Sequence, residues 1–275
     1  MEADGIETDP AGIAAQPGAI AMKIAARDLA VRFGGITALD GVEFELNRGE
    51  IVGLIGPNGA GKTTLFNCIT GVVAPNSGNV VVDGADISDH RFDLRVHLGI
   101  SRTFQTPRVN AHGTVLEAVM LGFNPIVKKP LLGSFFGSRS VRKAEADMES
   151  RAHNLISELG ITTDPTKRAG DLSLGALRLV EVARALAAGP HYLLLDEPAA
   201  GIDENDQGVL ANVIRKAAKD GIGVLIVEHN VPFVAGLCGR LIALVHGKIA
   251  ASGEPERVLN DPHFVRAYLG DSNAA

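Results

Sequence analysis

Short, unbroken apolar runs alternate with stretches of helical spacing along this chain. Ile51-Val52-Gly53-Leu54-Ile55, Tyr192-Leu193-Leu194-Leu195 and Gly223-Val224-Leu225-Ile226-Val227 each read as a strand covered on both faces. Helices are predicted over Thr64 to Thr70, Gly175 to Ala188 and Asp203 to Lys219. Gly189-Pro190 stops the second, and Asp203 is positioned to cap the third. This alternation predicts an α/β fold, a mostly parallel sheet with helices on both faces. Strands of another kind come first. Ile24 to Phe33 is strand-like, and Val42-Glu43-Phe44-Glu45-Leu46 alternates apolar with acidic residues, as a half-buried antiparallel strand does. Pro75-Asn76-Ser77-Gly78 reads as a turn into a strand at Asn79 to Val82. An antiparallel β-subdomain is therefore expected beside the parallel core.

The rhythm changes after the strand-like stretch Ile100 to Phe104. Thr114 to Leu121 reads as a helix, and Phe123 to Ser138, rich in Pro, Gly, Lys and Phe, as an irregular loop. Arg139 to Leu159 carries Val141, Ala144, Met148, Ala152, Leu155 and Leu159 at helical spacing. The expected organisation is a single domain over 22–270. A helical insert (107–175) divides a core (22–106 and 176–253), and two short helices end it (254–270). A hairpin is expected around His246-Gly247. Residues 1–21, rich in Ala, Gly and acidic residues, lack the basic start and apolar core of a signal peptide and read as a disordered extension.

Composition narrows the function. Hydrophobic residues are 46% and charged residues 21%, as in a soluble globular chain. A formal charge of −6 gives no electrostatic reason to expect a nucleic-acid partner. The two cysteines, Cys68 and Cys238, do not make a disulfide framework. No apolar stretch is long enough to cross a bilayer, so a role in a membrane process would be exercised through a partner.

The chemistry starts at Gly56-Pro57-Asn58-Gly59-Ala60-Gly61-Lys62-Thr63, followed by Thr64. This fits the phosphate-binding pattern G-x-x-x-x-G-K-[ST] between a buried strand and a helix. Glycines let backbone N–H groups turn inward around a polyphosphate, and the helix N-terminus adds its positive end. Lys62 can reach the terminal phosphates, and the Thr63 hydroxyl can ligate Mg²⁺. Asp196, closing a buried strand, is placed to hold the same ion, usually through water. Glu197, next on the loop, can orient and polarise an attacking water. Ser173 and Gly175 in Leu172-Ser173-Leu174-Gly175 open a helix and make a second anion site. One nucleotide has one terminal phosphate, so a second site suggests two chains facing each other.

These motifs together resemble the ATP-binding subunit of an ABC transporter over about residues 24–270. The resemblance implies the ABC ATPase fold, with ATP and Mg²⁺ as ligands. It makes Gly56 to Thr63 Walker A, Leu193 to Asp196 Walker B, and Glu197 the catalytic carboxylate. It makes Gln105 the glutamine that touches Mg²⁺ and the attacking water. Ala200-Gly201-Ile202-Asp203 becomes the loop that crosses a dimer interface, His229 the switch histidine at the γ-phosphate, and Phe33 the aromatic stacking on adenine. Arg32 to Gly35, Leu65 to Cys68 and Arg266 to Gly270 most resemble the ATP-binding proteins of high-affinity branched-chain amino acid uptake systems. Urea or amide importers and the lipopolysaccharide-export ATPase share much of this. The implied partners are a second ATP-binding subunit (the same chain or a paralogue), transmembrane permease subunits and, indirectly, a solute-binding protein. The implied place is the cytoplasmic face of the membrane. One departure stands out: the signature is usually L-S-x-G-x-Q, and position 177 is Leu. A non-transport ATPase of the same superfamily is disfavoured by the acidic charge and the lack of basic arms. A regulatory module without turnover is disfavoured by Glu197 and His229.

Overall fold

The computed structural model describes residues 22–104, 109–123 and 139–270. The expected N-terminal extension, Gln105 and nearly all of the expected 123–138 loop lie outside the described residues. β1 (Lys23–Phe33) and β2 (Ile36–Asn47) form an antiparallel hairpin. Val42, Phe44 and Leu46 are buried and the intervening acids exposed, as the alternation predicts. β3 (Ile51–Ile55) leads to α1 (Lys62–Thr70), which begins two residues before the expected start because Gly61 already serves as its N-cap. β4 (Ser77–Val82) and β5 (Ala85–Asp86) complete a sheet of order β2-β1-β4-β5. α2 (Phe92–His97) precedes β6 (Ile100–Arg102), and Thr103 and Phe104 fall beyond that strand.

A helical stretch follows: α3 (Val115–Met120), opened by a Thr114–Glu117 capping box, and α4 (Arg139–Glu158). Then come α5 (Leu174–Ala187), β7 (Tyr192–Asp196), α6 (Glu204–Lys219), β8 (Gly223–Val227) and α7 (Val231–Leu237). β9 (Arg240–Val245) and β10 (Lys248–Gly253) make the expected hairpin, and α8 (Pro255–Leu259) and α9 (Pro262–Gly270) end the fold.

The main sheet has the order β10-β9-β3-β8-β7-β6, parallel except for β10 at one edge. Its central strands β3, β7 and β8 are buried on both faces, which explains their unbroken apolar runs. Leu193, Leu195, Val224 and Ile226 join one core, with α3, α5 and α6. Tyr192, Leu194, Leu225 and Val227 join the other, with α1 and the antiparallel sheet. Each fully buried leucine or isoleucine contributes roughly 1.5–3 kcal/mol relative to exposure. Polar links tie the two sheets together. Asp83 accepts from both Arg48 and the Tyr192 hydroxyl, joining the antiparallel sheet to the start of β7.

What matters for function is the register. Leu54 of β3 pairs with Val227 of β8, and Val227 with Asp196 of β7. The loops leaving three adjacent parallel strands therefore emerge side by side at their C-terminal ends. Open parallel sheets bind their ligands in that place.

Candidate functional site

The phosphate loop is built by close approach. Gly61 has φ +103°, and a Cβ there would lie 2.4 Å from the Ala38 carbonyl oxygen. Only glycine meets both conditions. Gly59 also has positive φ, +76°, but faces open space. The β9–β10 turn holds the loop from outside: Gly247 N–H donates to Ala60 O at 2.9 Å, and Asp40 N–H donates to Gly247 O at 2.9 Å. Gly61, the N-cap of α1, offers no side-chain acceptor, so the first N–H groups of the helix can face an anion. Lys62 is nearly buried, and its Nζ donates to the carbonyls of Gly56 at 2.7 Å and Pro57 at 2.9 Å. Burial holds its ammonium below the ordinary lysine range, while Glu197 and Asp196 pull it back up. Thr63 is exposed at the helix start, and Thr64 beside it is half-buried.

Asp196 and Glu197 leave β7 in different settings. Asp196 is 7% exposed, and its N–H donates to Thr103 Oγ1 at 3.3 Å. Burial raises its carboxyl above the usual range, Arg102 opposes that, and the neighbouring Glu197 adds to it. Glu197 has φ +48°, a conformation that costs a non-glycine residue about 1–3 kcal/mol. Bonds on either side hold it there: Glu197 N–H to Val227 O at 2.8 Å, and Ala200 N–H to Glu197 O at 3.2 Å. The twist brings Glu197 Oε1 within 3.0 Å of His229 Nε2. A carboxylate and an imidazole from two strand ends thus meet beside the loop that carries Lys62.

Four other predicted residues sit farther out. Phe33 is 51% exposed at the end of the β1–β2 hairpin, in register with Ile36, where an aromatic face is open to stacking. Ser173 is the N-cap of α5, its Oγ accepting from Ala176 N–H at 3.2 Å. The exposed hydroxyl keeps its proton to donate to an anion. Gly175 is buried, and a Cβ there would overlap the Asp206 carboxylate. Asp203 caps α6, accepting from Asp206 N–H at 2.8 Å. Leu177 is half-buried in the first turn of α5, its N–H donating to Ser173 O at 2.9 Å. The helix start is capped without a glutamine there.

Sequence reasoning missed several polar groups around the site. Glu228, Asn230 and Gln207 link the loops after β7 and β8. Arg102 lies between the Phe66 and Phe104 rings, at 4.7 and 4.8 Å from their centroids, and donates to Asn67 and Thr70 of α1. Arg178 of α5 donates to Phe104 O at 3.2 Å, one residue before Gln105. Only the position of Glu228, between a buried strand and His229, hinted at a role. Among the described residues no group of three or more His, Cys, Asp or Glu can hold a metal ion. One carboxylate and one hydroxyl, with phosphate oxygens and water supplying the rest, is the donor set that suits Mg²⁺.

A phosphate loop, an aspartate-glutamate strand end and a histidine on neighbouring parallel strands are here joined in one fold. The family model for ABC transporters matches residues 39–200, more than half the chain. The chain belongs to the ABC transporter family. The high-affinity branched-chain amino acid transport ATP-binding protein LivG of Salmonella typhimurium is 33% identical to it, over 90% of this chain and 98% of that one. The lipopolysaccharide export system ATP-binding protein LptB of Escherichia coli is 36% identical, over 90% of this chain and 97% of its own. The crystal structure of the ADP conformation of MJ1267, an ATP-binding cassette of an ABC transporter, superposes with a TM-score of 0.79. It is 34% identical, over 90% of this chain and 98% of that one. The ABC ATPase fold expected from the motifs is the fold observed. As an ABC transporter ATPase the chain binds nucleotide and hydrolyses ATP. No helix among the described residues is long and apolar enough to cross a membrane.

Proposed function

We propose that this ABC ATPase hydrolyses ATP between two ATP-binding subunits and drives the uptake of branched-chain, or similar hydrophobic, amino acids. The observation that carries the reading is the 3.0 Å contact of Glu197 with His229, at strand ends in register with the phosphate-loop strand. Glu197 orients or deprotonates the attacking water, and His229 contacts the γ-phosphate. Lys62 exchanges its bonds to the Gly56 and Pro57 carbonyls for the β- and γ-phosphates, and residues 56–64 wrap the polyphosphate. Phe33 stacks on adenine. Thr63, Asp196 and Gln105 would hold Mg²⁺, which would neutralise charge on the phosphate oxygens.

Ser173 and Gly175 of the facing subunit complete the site, and Asp203 lies at that interface. ATP is then part of the contact between subunits, and its hydrolysis loosens it. In this reading 22–106 and 176–253 form the nucleotide-binding core, and 254–270 the terminal helices. The helical segment 107–175 receives a cytoplasmic loop of the permease. The subunit works at the cytoplasmic face of the membrane, with a solute-binding protein delivering the amino acid. The names of the LivG relatives support the solute class. The similarity to LptB favours a second reading, lipid export.

Two measurements test this. Glu197→Gln, incubated with ATP and Mg²⁺, should run as a dimer on gel filtration. A variant that binds ATP yet stays monomeric refutes the sandwich. Reconstituted with its permease in proteoliposomes, the native chain should hydrolyse ATP faster when leucine-loaded binding protein is added. Stimulation by lipopolysaccharide instead would select the second reading.

A further inference from the structure

Glu228 directly precedes His229 and is 2% exposed, at the end of the apolar strand β8. Its carboxylate spans two loops. One oxygen accepts from Ala199 N–H at 2.6 Å. The other accepts from His229 N–H at 3.0 Å and Asn230 N–H at 3.3 Å. Ala199 is on the turn leaving β7, two residues beyond Glu197. One side chain therefore joins the backbone that carries the catalytic carboxylate to the backbone that carries the imidazole.

The strand ladder cannot do this. Pairing of β7 with β8 ends at Asp196 and Val227, and the last bond across is Glu197 N–H to Val227 O. Beyond it the Glu228 carboxylate joins the two loops. A second tie runs outside it: Gln207 Nε2 donates to Ile202 O at 3.1 Å, and its Oε1 accepts from Asn230 Nδ2 at 3.4 Å. Burying a carboxylate here is costly. Desolvation pushes its pKa up and the nearby Glu197 adds to this, while the backbone N–H groups oppose it. An apolar residue would fill the position without that cost, but it would leave three N–H groups without an acceptor.

We propose that Glu228 is a positioning residue for hydrolysis, setting the separation and aim of Glu197 and His229. It acts through these two side chains and not on the nucleotide. The inference rests on the hydrolytic reading of the site. The test uses the full chain with ATP and Mg²⁺. Glu228→Gln keeps the size but turns one acceptor oxygen into an NH₂ donor, so one loop loses its anchor. Its kcat should fall at least tenfold, while its affinity for a fluorescent ATP analogue changes less than twofold. Glu228→Asp keeps the charge but is one methylene too short to reach both loops, and it should show the same split to a smaller degree. A kcat for Glu228→Gln within twofold of native overturns the proposal. So does a fall in kcat matched by equal falls in affinity and melting temperature. Failure of both variants to fold would assign Glu228 to stability alone and also overturn it. Turnover by the native chain is the control: without it the hydrolytic reading itself falls. With native turnover and an unaffected Gln variant, only the positioning claim falls.

Discussion

Two glycines of the phosphate loop predict different outcomes for the same substitution. At Gly61 an alanine Cβ would lie 2.4 Å from the Ala38 carbonyl and 3.0 Å from a Leu39 methyl, on a residue with φ +103°. The left-handed conformation costs a non-glycine residue about 1–2 kcal/mol. Overpacking against a backbone carbonyl adds roughly 1–3 kcal/mol, because β2 must move to make room. At Gly59 the φ is +76° but, among the described residues and apart from its chain neighbours, no atom lies within 4 Å of the added Cβ, so only the conformational cost applies. If the loop stays in place, the cost is seen in stability. With about 2–4 °C of Tm per kcal/mol for a chain near this size, Gly59→Ala should melt a few degrees lower and Gly61→Ala about twice that or more below native. If Gly61→Ala relieves the clash by opening the loop, its excess of roughly 1–3 kcal/mol appears as a loss of about 5- to 150-fold in ATP affinity relative to Gly59→Ala. Thermal melting and titration with a fluorescent ATP analogue separate the two. Equal behaviour of both variants in both assays would refute the claim that the loop is fixed by its approach to Ala38.

Two further outcomes are expected. Burial raises the thiol pKa of Cys68 to about 11 and of Cys238 to about 12, so neither should react with an aromatic disulfide reagent at pH 8 until denaturant is added. Rapid labelling of the native protein would contradict this core packing. Ser173→Arg should abolish hydrolysis while a single chain still binds ATP within about twofold of native, because Ser173 is exposed and in the proposed function serves the facing subunit's nucleotide; retained turnover would remove the signature helix from the site.

The parallel core was legible because its chemistry is local. A strand buried on both faces is mostly apolar, and β3 and β8 are, as is β7 up to its closing Asp196. The phosphate loop was legible because strand, glycines, Lys62 and Thr63 are contiguous. α2 and α7 were not. α2 has six residues, and only Arg95 in it is buried, so no apolar stripe marks it. α7 is seven residues of Val, Pro, Phe, Ala, Gly and Leu, with no polar face to set a period. The Asn230 cap that starts it looks like any loop asparagine until its bond to Phe233 N–H is seen. Arg95 was hidden for a different reason. It is 1% exposed and donates to the carbonyls of Ser88, His90, Cys68 and Ile69, closing the C-terminal end of α1. Its partners are backbone atoms, which leave no trace in a pattern of side chains. Glu228 was hidden in the same way.

That contrast bears on how the site works. The groups named by motif are those expected to face the nucleotide, whereas Glu228 bonds the backbone of the loops that carry two of them. Lys62 rests on the loop's own carbonyls, so a triphosphate must replace two bonds already made. It is also one ammonium close to the carboxylates of Asp196 and Glu197, with the buried Glu228 next to Glu197. Adding a polyanion to such a cluster is unfavourable unless more positive charge comes with it. Arg102 partly offsets Asp196, but its guanidinium is already engaged with α1 and two aromatic rings. Arg178 and His229 also act on Asp196, and a cation bound with the nucleotide would add to them. In the proposed reading, such a cluster would favour the nucleotide as its magnesium complex over the free polyanion, through residues that the phosphate-loop pattern does not contain.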